Sequence, residues 1–176
     1  MGDAGRITDE GVERLRARVG VPEPHPMPPY YTVPTHDTFR NVAVAYGDDN
    51  PLWCDPAYGA RTRWAGMIAL PSFLFATSRI ISGYVGGLPG VHAMWAGADW
   101  TWHKPVRRND EISTEASLKD LIEHETKFAG RAIQQIYHVR FFNQSGDLVA
   151  EADSWCFRTD RDLAREQGTK YTEVRA

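Results

Sequence analysis

Residues 71–87 have the sequence PSFLFATSRIISGYVGG, and the fold prediction starts from this stretch. It is apolar along almost its whole length and ends at a glycine pair, and Pro71 at its start suits the first turn of a helix. A helix that is apolar on most of its faces is normally buried. The sequence therefore predicts a central hydrophobic helix that begins near Pro71.

The chain that follows Pro89 has the character of β-strands. Turn-forming segments, NDE, HET and NQSGD, divide it into four predicted strands at residues 91–103, 110–122, 127–143 and 147–158. Such short connections join antiparallel neighbours. One buried helix followed by these strands indicates an α+β, hot-dog fold, in which a long antiparallel sheet wraps around the central helix. An unpaired edge strand in such a sheet favours dimerisation through that edge.

The chain before the central segment is predicted to hold short helices and an extended lead-in. Thr8 can cap a helix over residues 7–19, and the prolines of residues 21–34 exclude both helix and central strand. Thr35 can cap a second helix, which Gly47 ends, and Asp55 with Pro56 opens another short helical piece. The predicted organisation is a helix and lead-in, a hot-dog domain and a charged tail: residues 1–24, 25–160 and 161–176.

The loop after the second helix carries a motif. Residues 45–58, AYGDDNPLWCDPAY, resemble the hydratase motif of MaoC-like dehydratases, which reads glycine, aspartate, any residue, asparagine, proline, an aliphatic residue, histidine, any residue, aspartate. Trp53 stands at the histidine position, and the other defined positions match: Gly47, Asp48, Asn50, Pro51, Leu52 and Asp55. Residues 98–110 and 141–152 resemble the family's aromatic strand and closing hairpin. The resemblance covers about residues 20–160 and is closest to the N-terminal, FAS1-like half of dehydratases with two hot-dog domains.

This resemblance implies activity on acyl thioesters. In the family, the aspartate and the histidine flank the double bond of a trans-2-enoyl thioester and activate water, while backbone N–H groups polarise the thioester carbonyl. A histidine can take and return a proton near neutral pH. Indole has no basic site, so Trp53 cannot perform that step. Asp48 and Asn50 remain as candidate catalytic residues of a degenerate motif.

Each motif residue also has a structural interpretation. Asp48 can be a turn or capping carboxylate, and Asn50 can shape the loop. Trp53 can be a hydrophobic plug in the vacated pocket or a contact for the acyl chain. Pro71 falls where catalytic relatives have a glycine whose N–H contributes to the oxyanion hole, and proline has no N–H.

Basic and aromatic side chains supply the candidate substrate contacts. Lys104, Arg107 and Arg108 form a basic corner that can bind the phosphates of coenzyme A, or can be solvated surface. Trp53 and Pro71 complete the candidate substrate-binding set, and Arg61 and Arg63 are further candidates. Three tryptophans of the first predicted strand are expected in the core, at a dimer interface or along an acyl tunnel: Trp95, Trp100 and Trp102.

Composition narrows the classes of function. Hydrophobic residues make up 42% and charged residues 24%, and a net charge of −3 without a basic stripe argues against nucleic-acid binding. The sequence has no apolar run approaching the about 20 residues of a membrane helix and no signal-peptide layout, so a cytoplasmic location is predicted. Neither cysteine nor any histidine has metal-ligand spacing. We therefore expect no metal, and no cofactor beyond coenzyme A or an acyl carrier protein as the substrate's carrier.

Three hypotheses for function follow from the missing histidine. The chain can be the histidine-lacking subunit of a heteromeric hydratase or dehydratase, pairing with a hot-dog subunit that has an intact motif. It can be an autonomous homodimeric lyase in which Asp48 works with another base, such as His103. It can also be an acyl-ligand or assembly module without catalysis.

Overall fold

The computed structural model describes residues 5–24, 27–81, 87–127 and 129–161. Four short α-helices, one 3₁₀ helix and four long strands follow one another in the chain: α1 (Asp9–Arg16), α2 (His36–Ala45), α3 (Pro51–Cys54), α4 (Pro56–Ala60), the 3₁₀ helix (Pro71–Ala76), β1 (His92–Trp102), β2 (Ser113–Thr126), β3 (Gly130–Phe142) and β4 (Leu148–Thr159). This order confirms the predicted α+β, hot-dog fold.

The four strands form one antiparallel sheet in the order β1-β4-β3-β2. Buried and partly exposed residues alternate along β4, because successive side chains point to opposite faces of a strand. The buried face packs on the helical segment, and the other face is open to solvent. All four strands begin and end within four residues of the predicted positions.

The central helix is shorter than predicted, because only Pro71–Ala76 form regular 3₁₀ turns. The Thr77 hydroxyl donates to the Leu74 carbonyl at 3.0 Å, and the Ser78 hydroxyl accepts from the Ile80 N–H at 3.2 Å. Such local hydroxyl bonds compete with regular helical bonding. Residues 82–86 of the predicted helix lie outside the described residues.

The 3₁₀ helix is nevertheless the centre of the core, as the apolar sequence predicts. Phe73 is fully buried, packs edge-on against Phe39 of α2 with ring centroids 5.4 Å apart, and stacks on Tyr31 at 5.9 Å. Thr35 caps α2 through a reciprocal capping box with Thr38, which fixes where that helix begins. The core therefore ties the helix that leads to the motif loop to the central segment.

The N-terminal residues pack against the same core and one edge of the sheet. Val12 and Leu15 of α1 are buried in the main hydrophobic cluster. The N–H groups of Gly20 and Glu23 donate to carbonyls of β2 at 2.8 and 2.7 Å. The lead-in thus covers part of the β2 edge.

The opposite edge of the sheet, β1, is open. It pairs with β4 on one side, and no second strand within the described ranges pairs with its other side. Three large side chains on β1 are about half exposed: Met94 at 59%, Trp95 at 46% and Trp102 at 49%. An edge strand with exposed aromatic side chains is a typical site of association.

The charged tail predicted at residues 161–176 lies outside the described residues except for residue 161, and residues 25 and 26 of the proline-rich stretch also lie outside them. In the part of the chain that the structure describes, no helix has the length and apolar character needed to cross a bilayer.

Candidate active site

The motif loop is held by its own acidic and amide side chains. Gly47 ends α2 with a positive φ of 73°, and the Asp48 N–H donates to the Ala43 carbonyl at 2.9 Å. One carboxylate oxygen of Asp48 accepts from the Asn50 N–H at 3.0 Å, and the Asn50 side-chain oxygen accepts from the Leu52 N–H at 3.0 Å. Both candidate catalytic side chains are thus engaged in turn and capping bonds.

The end of the motif is held in the same way. Asp55 caps α4 by accepting from the N–H groups of Ala57 and Tyr58 at 2.8 and 3.2 Å, so the predicted cap is confirmed. The loop itself, however, was not expected to contain a helix, and Pro51–Cys54 form the single turn α3. Asparagine and proline together start this turn, because Asn50 accepts the free N–H and Pro51 occupies the first helical position.

Because Asp48 forms a turn, we expect two substitutions at this position to differ in their effect on stability. Asp48→Asn keeps a side-chain oxygen for the Asn50 N–H and should leave the thermal midpoint unchanged. Asp48→Ala removes the acceptor and should lower the free energy of unfolding by about 1 kcal/mol. Thermal unfolding followed by circular dichroism measures both values. Equal destabilisation by the two variants would show that the carboxylate charge, rather than the turn bond, holds the loop.

Trp53 lies in α3 and is half-buried. Its indole nitrogen is shielded from solvent and has no hydrogen-bond partner among the described residues. A buried donor left unpaired costs about 1–3 kcal/mol. The position at which the resemblance places a histidine thus carries a bulky ring with no basic atom.

Pro71 is the exposed first residue of the 3₁₀ helix and has no N–H to offer. Its carbonyl accepts from the indole nitrogen of Trp102 at 3.3 Å. Pro71 and Trp102 thus contact each other at the place where the 3₁₀ helix faces β1.

Two apolar clefts open on either side of this contact. The Trp64 cleft, of about 280 Å³, is lined by Trp64, Ile68, Ala69, Leu74, Pro105 and Val106, with His103 and Lys104 also on its wall. The Trp95 cleft, of about 340 Å³, is lined by Leu70, Ser72, Phe75, Trp95, Ala98 and Trp100. Pro71 and Trp102 line both clefts. Among the described residues, those that line the two clefts do not include Asp48, Asn50 or Trp53.

Of the predicted basic corner, Lys104 lines the Trp64 cleft and Arg107 reaches Trp64, but both side chains have partners within the chain. Lys104 forms an ion pair with Asp147 at 2.8 Å, and hydrogen bonds from Lys104 and Asn143 lower the pKa of that carboxyl. Arg107 donates to the Trp64 carbonyl at 2.6 Å. Arg108 is exposed, and the Arg63 guanidinium lies 4.5 Å from the Trp64 ring centroid.

The fold agrees with a comparison against known families. The family described as "FAS1-like, dehydratase domain region" matches residues 25–152, well over half of the chain. The chain belongs to this FAS1-like dehydratase family.

Solved structures of MaoC-like and (R)-hydratase proteins have the same fold as this FAS1-like dehydratase chain. The (R)-hydratase from A. caviae is 26% identical, with a TM-score of 0.54, covering 70% of this chain and 87% of that one. A chain of the ChsH1-ChsH2 complex from Mycobacterium tuberculosis is 18% identical, with a TM-score of 0.65, covering 86% and 95%.

A curated relative from Streptomyces avermitilis, a UPF0336 protein, is 27% identical over 90 residues. The match covers 48% of this FAS1-like dehydratase chain and 60% of that protein, so the chain spans less than two thirds of its relative's length.

A row of ionisable side chains that the sequence did not predict crosses the outer face of the sheet in this FAS1-like dehydratase. The His103 Nε2 lies 3.1 Å from Glu151, which also lies 3.5 Å from His138. Asp153 accepts from His138 at 2.8 Å and from Lys119 at 2.5 Å. Burial opposes the charged form of Asp153, but these two hydrogen bonds outweigh it and lower its pKa. The pairing register of the strands brings these residues together, and their spacing in the sequence does not predict it.

Proposed function

We propose that this chain is the histidine-lacking component of an acyl-thioester hydratase or dehydratase, working beside a hot-dog subunit with an intact aspartate–histidine motif. One observation carries the proposal. Trp53 occupies the histidine position of the motif, inside a loop whose two short helices are capped by Asn50 and Asp55, and its ring has no basic atom. In this proposal, proton transfer at neutral pH comes from the motif histidine of the partner subunit.

The reaction of such a complex is the reversible addition of water across an enoyl thioester. Hydroxide adds to the β-carbon and a proton to the α-carbon, with the partner's histidine moving the proton. This chain contributes apolar surface: the Trp64 and Trp95 clefts bury hydrocarbon, and the basic corner at Arg108 faces the phosphates of the carrier. Coenzyme A or an acyl carrier protein is the carrier, and no further cofactor takes part.

The open β1 edge supports the proposal that the chain has a partner subunit. Its exposed N–H and C=O groups and half-exposed tryptophans suit pairing with the edge strand of a second hot-dog subunit, giving one continuous double sheet. Structures with the same fold include two complexes, ChsH1-ChsH2 and HadBC, both from Mycobacterium tuberculosis. We extend that heteromeric arrangement to this chain as part of the proposal, with a homodimer as the alternative arrangement.

A second candidate, an autonomous homodimeric lyase, is favoured by the position of His103. This histidine lies on the wall of the Trp64 cleft and is held by Glu151, as a general base is held by a neighbouring carboxylate. Its described contacts lead to Glu151 and not to Asp48. The homodimer would therefore need a base that works without the motif aspartate. A non-catalytic acyl-binding module is the outcome left if no turnover is found.

The deciding experiment assays this chain and an intact-motif hot-dog protein from the same genome, each alone and both together, for hydration of crotonyl-CoA and longer enoyl-CoA esters. We expect turnover by the mixture to exceed the sum of the separate rates and to vanish when the partner's motif histidine is replaced. Asp48→Asn in this chain should change the rate by less than about twofold. Efficient turnover by this chain alone, abolished by His103→Gln, would instead establish the homodimeric lyase.

A further inference from the structure

Trp102 forms a ridge between the two apolar clefts. Its indole donates to the Pro71 carbonyl at 3.3 Å, so the two residues that line both clefts are joined to each other. The Trp102 ring stacks on Trp100, with centroids 5.5 Å apart and planes 10° apart, and Trp100 stacks on Phe141 at 5.3 Å. The ridge is therefore supported from within the core, although Trp102 itself is 49% exposed.

The two sides of the ridge differ in chemistry. The Trp64 cleft has Lys104 and His103 on its wall and the basic corner beside it. The Trp95 cleft has Ser72 as the one polar side chain among the described residues that line it. An elongated ligand with one anionic end and one hydrocarbon end fits this pair of clefts in a single direction, with its anionic end at Lys104.

We propose that Trp102 determines the length of the acyl group that this chain accepts, an inference that rests on the proposed function with acyl thioesters. The carrier lies at the basic corner, and a short acyl group ends in the Trp64 cleft against the Trp102 ring. A longer acyl group must cross the ridge to reach the Trp95 cleft. The indole therefore favours short acyl groups, because it supplies the far wall for them and obstructs the path of longer ones.

The test measures binding, so that it does not depend on turnover. Isothermal titration of the full chain, alone and with the hot-dog partner, gives the dissociation constants of butyryl-CoA and dodecanoyl-CoA, which are saturated and cannot be hydrated. Trp102→Ala is compared with the wild type and with Trp102→Phe, which retains a smaller ring. Met94→Ala is the matched control, because Met94 is exposed and lines neither cleft. A register shift between Trp95 and Gly97 puts Met94 on the opposite face of the strand from Trp102.

Trp102→Ala is expected to raise the affinity for dodecanoyl-CoA relative to butyryl-CoA by about tenfold, with a smaller rise for Trp102→Phe and none for Met94→Ala. An unchanged or lowered ratio, an equal change in the Met94 control, or a wild-type chain that binds neither ester would overturn the inference. If the ratio shifts as expected while no mixture hydrates enoyl-CoA, the proposed function fails and the assignment of Trp102 stands. If the mixture is active and the ratio is unchanged, the proposed function stands and the assignment of Trp102 fails.

Discussion

Replacing Trp53 with histidine is expected to raise the rate at which this chain, assayed alone, hydrates crotonyl-CoA by about a hundredfold. The substitution restores the one motif position that departs from the family pattern, within a loop whose turns are already formed by Asp48, Asn50 and Asp55. A positioned general base commonly contributes between a hundredfold and ten-thousandfold. We expect the low end of that range, because Pro71 still lacks the N–H that would stabilise the developing oxyanion.

The pH profile and a second variant make this prediction specific. The rate gained by Trp53→His should rise through about pH 6.5, the ordinary pKa of histidine, and then level off. Trp53→Phe should stay at the background rate, since phenylalanine restores the bulk of the ring without a base. It should also leave the free energy of unfolding unchanged or slightly raised, because it removes the unpaired buried donor. A folded Trp53→His variant at the background rate would mean that the motif loop does not face bound substrate.

Replacing Phe73 with alanine is expected to lower the free energy of unfolding by about 3–5 kcal/mol. The Phe73 ring is fully buried and contacts both Phe39 and Tyr31, so its removal leaves a cavity where α2, the lead-in and the 3₁₀ helix meet. Urea unfolding of the full chain, followed by fluorescence and circular dichroism, gives the change. A loss of this size is a large part of the stability of a typical domain.

The control for this prediction is Tyr46→Ala, which truncates an aromatic ring that is 59% exposed at the end of α2. It should change the free energy of unfolding by less than about 0.5 kcal/mol. If Phe73→Ala were no more destabilising than Tyr46→Ala, the 3₁₀ helix would not be the centre of the core.

Local signals allowed much of the fold to be predicted. Thr35 and Asp55 are side chains that accept N–H groups within three residues, so the starts of α2 and α4 depend on sequence alone. The strands follow from short turns between long β-rich stretches. The length of the central helix does not follow in this way, because the hydroxyls of Thr77 and Ser78, inside the apolar stretch, take local partners and the regular turns end before them.

The site was harder to predict, because its contacts join distant parts of the chain. The resemblance named Asp48, Asn50, Trp53 and Pro71, and the loop turns explain the first two in structural terms. The pairing of Lys104 with Asp147, and of Arg107 with the Trp64 carbonyl, depends on how separate segments meet. The contact between Trp102 and Pro71, which divides the clefts, also depends on how separate segments meet, and residue spacing does not predict it.

The open edge of β1 also has a consequence for how the protein is made. In the proposed heteromer, a copy released from the ribosome ahead of its partner carries an unpaired strand with half-exposed tryptophans into a crowded cell, where other unpaired strands compete for it. Synthesis of the two subunits in step, from adjacent genes or a shared message, would shorten that interval. In the laboratory, producing both polypeptides in one host should yield more soluble protein than producing this one by itself.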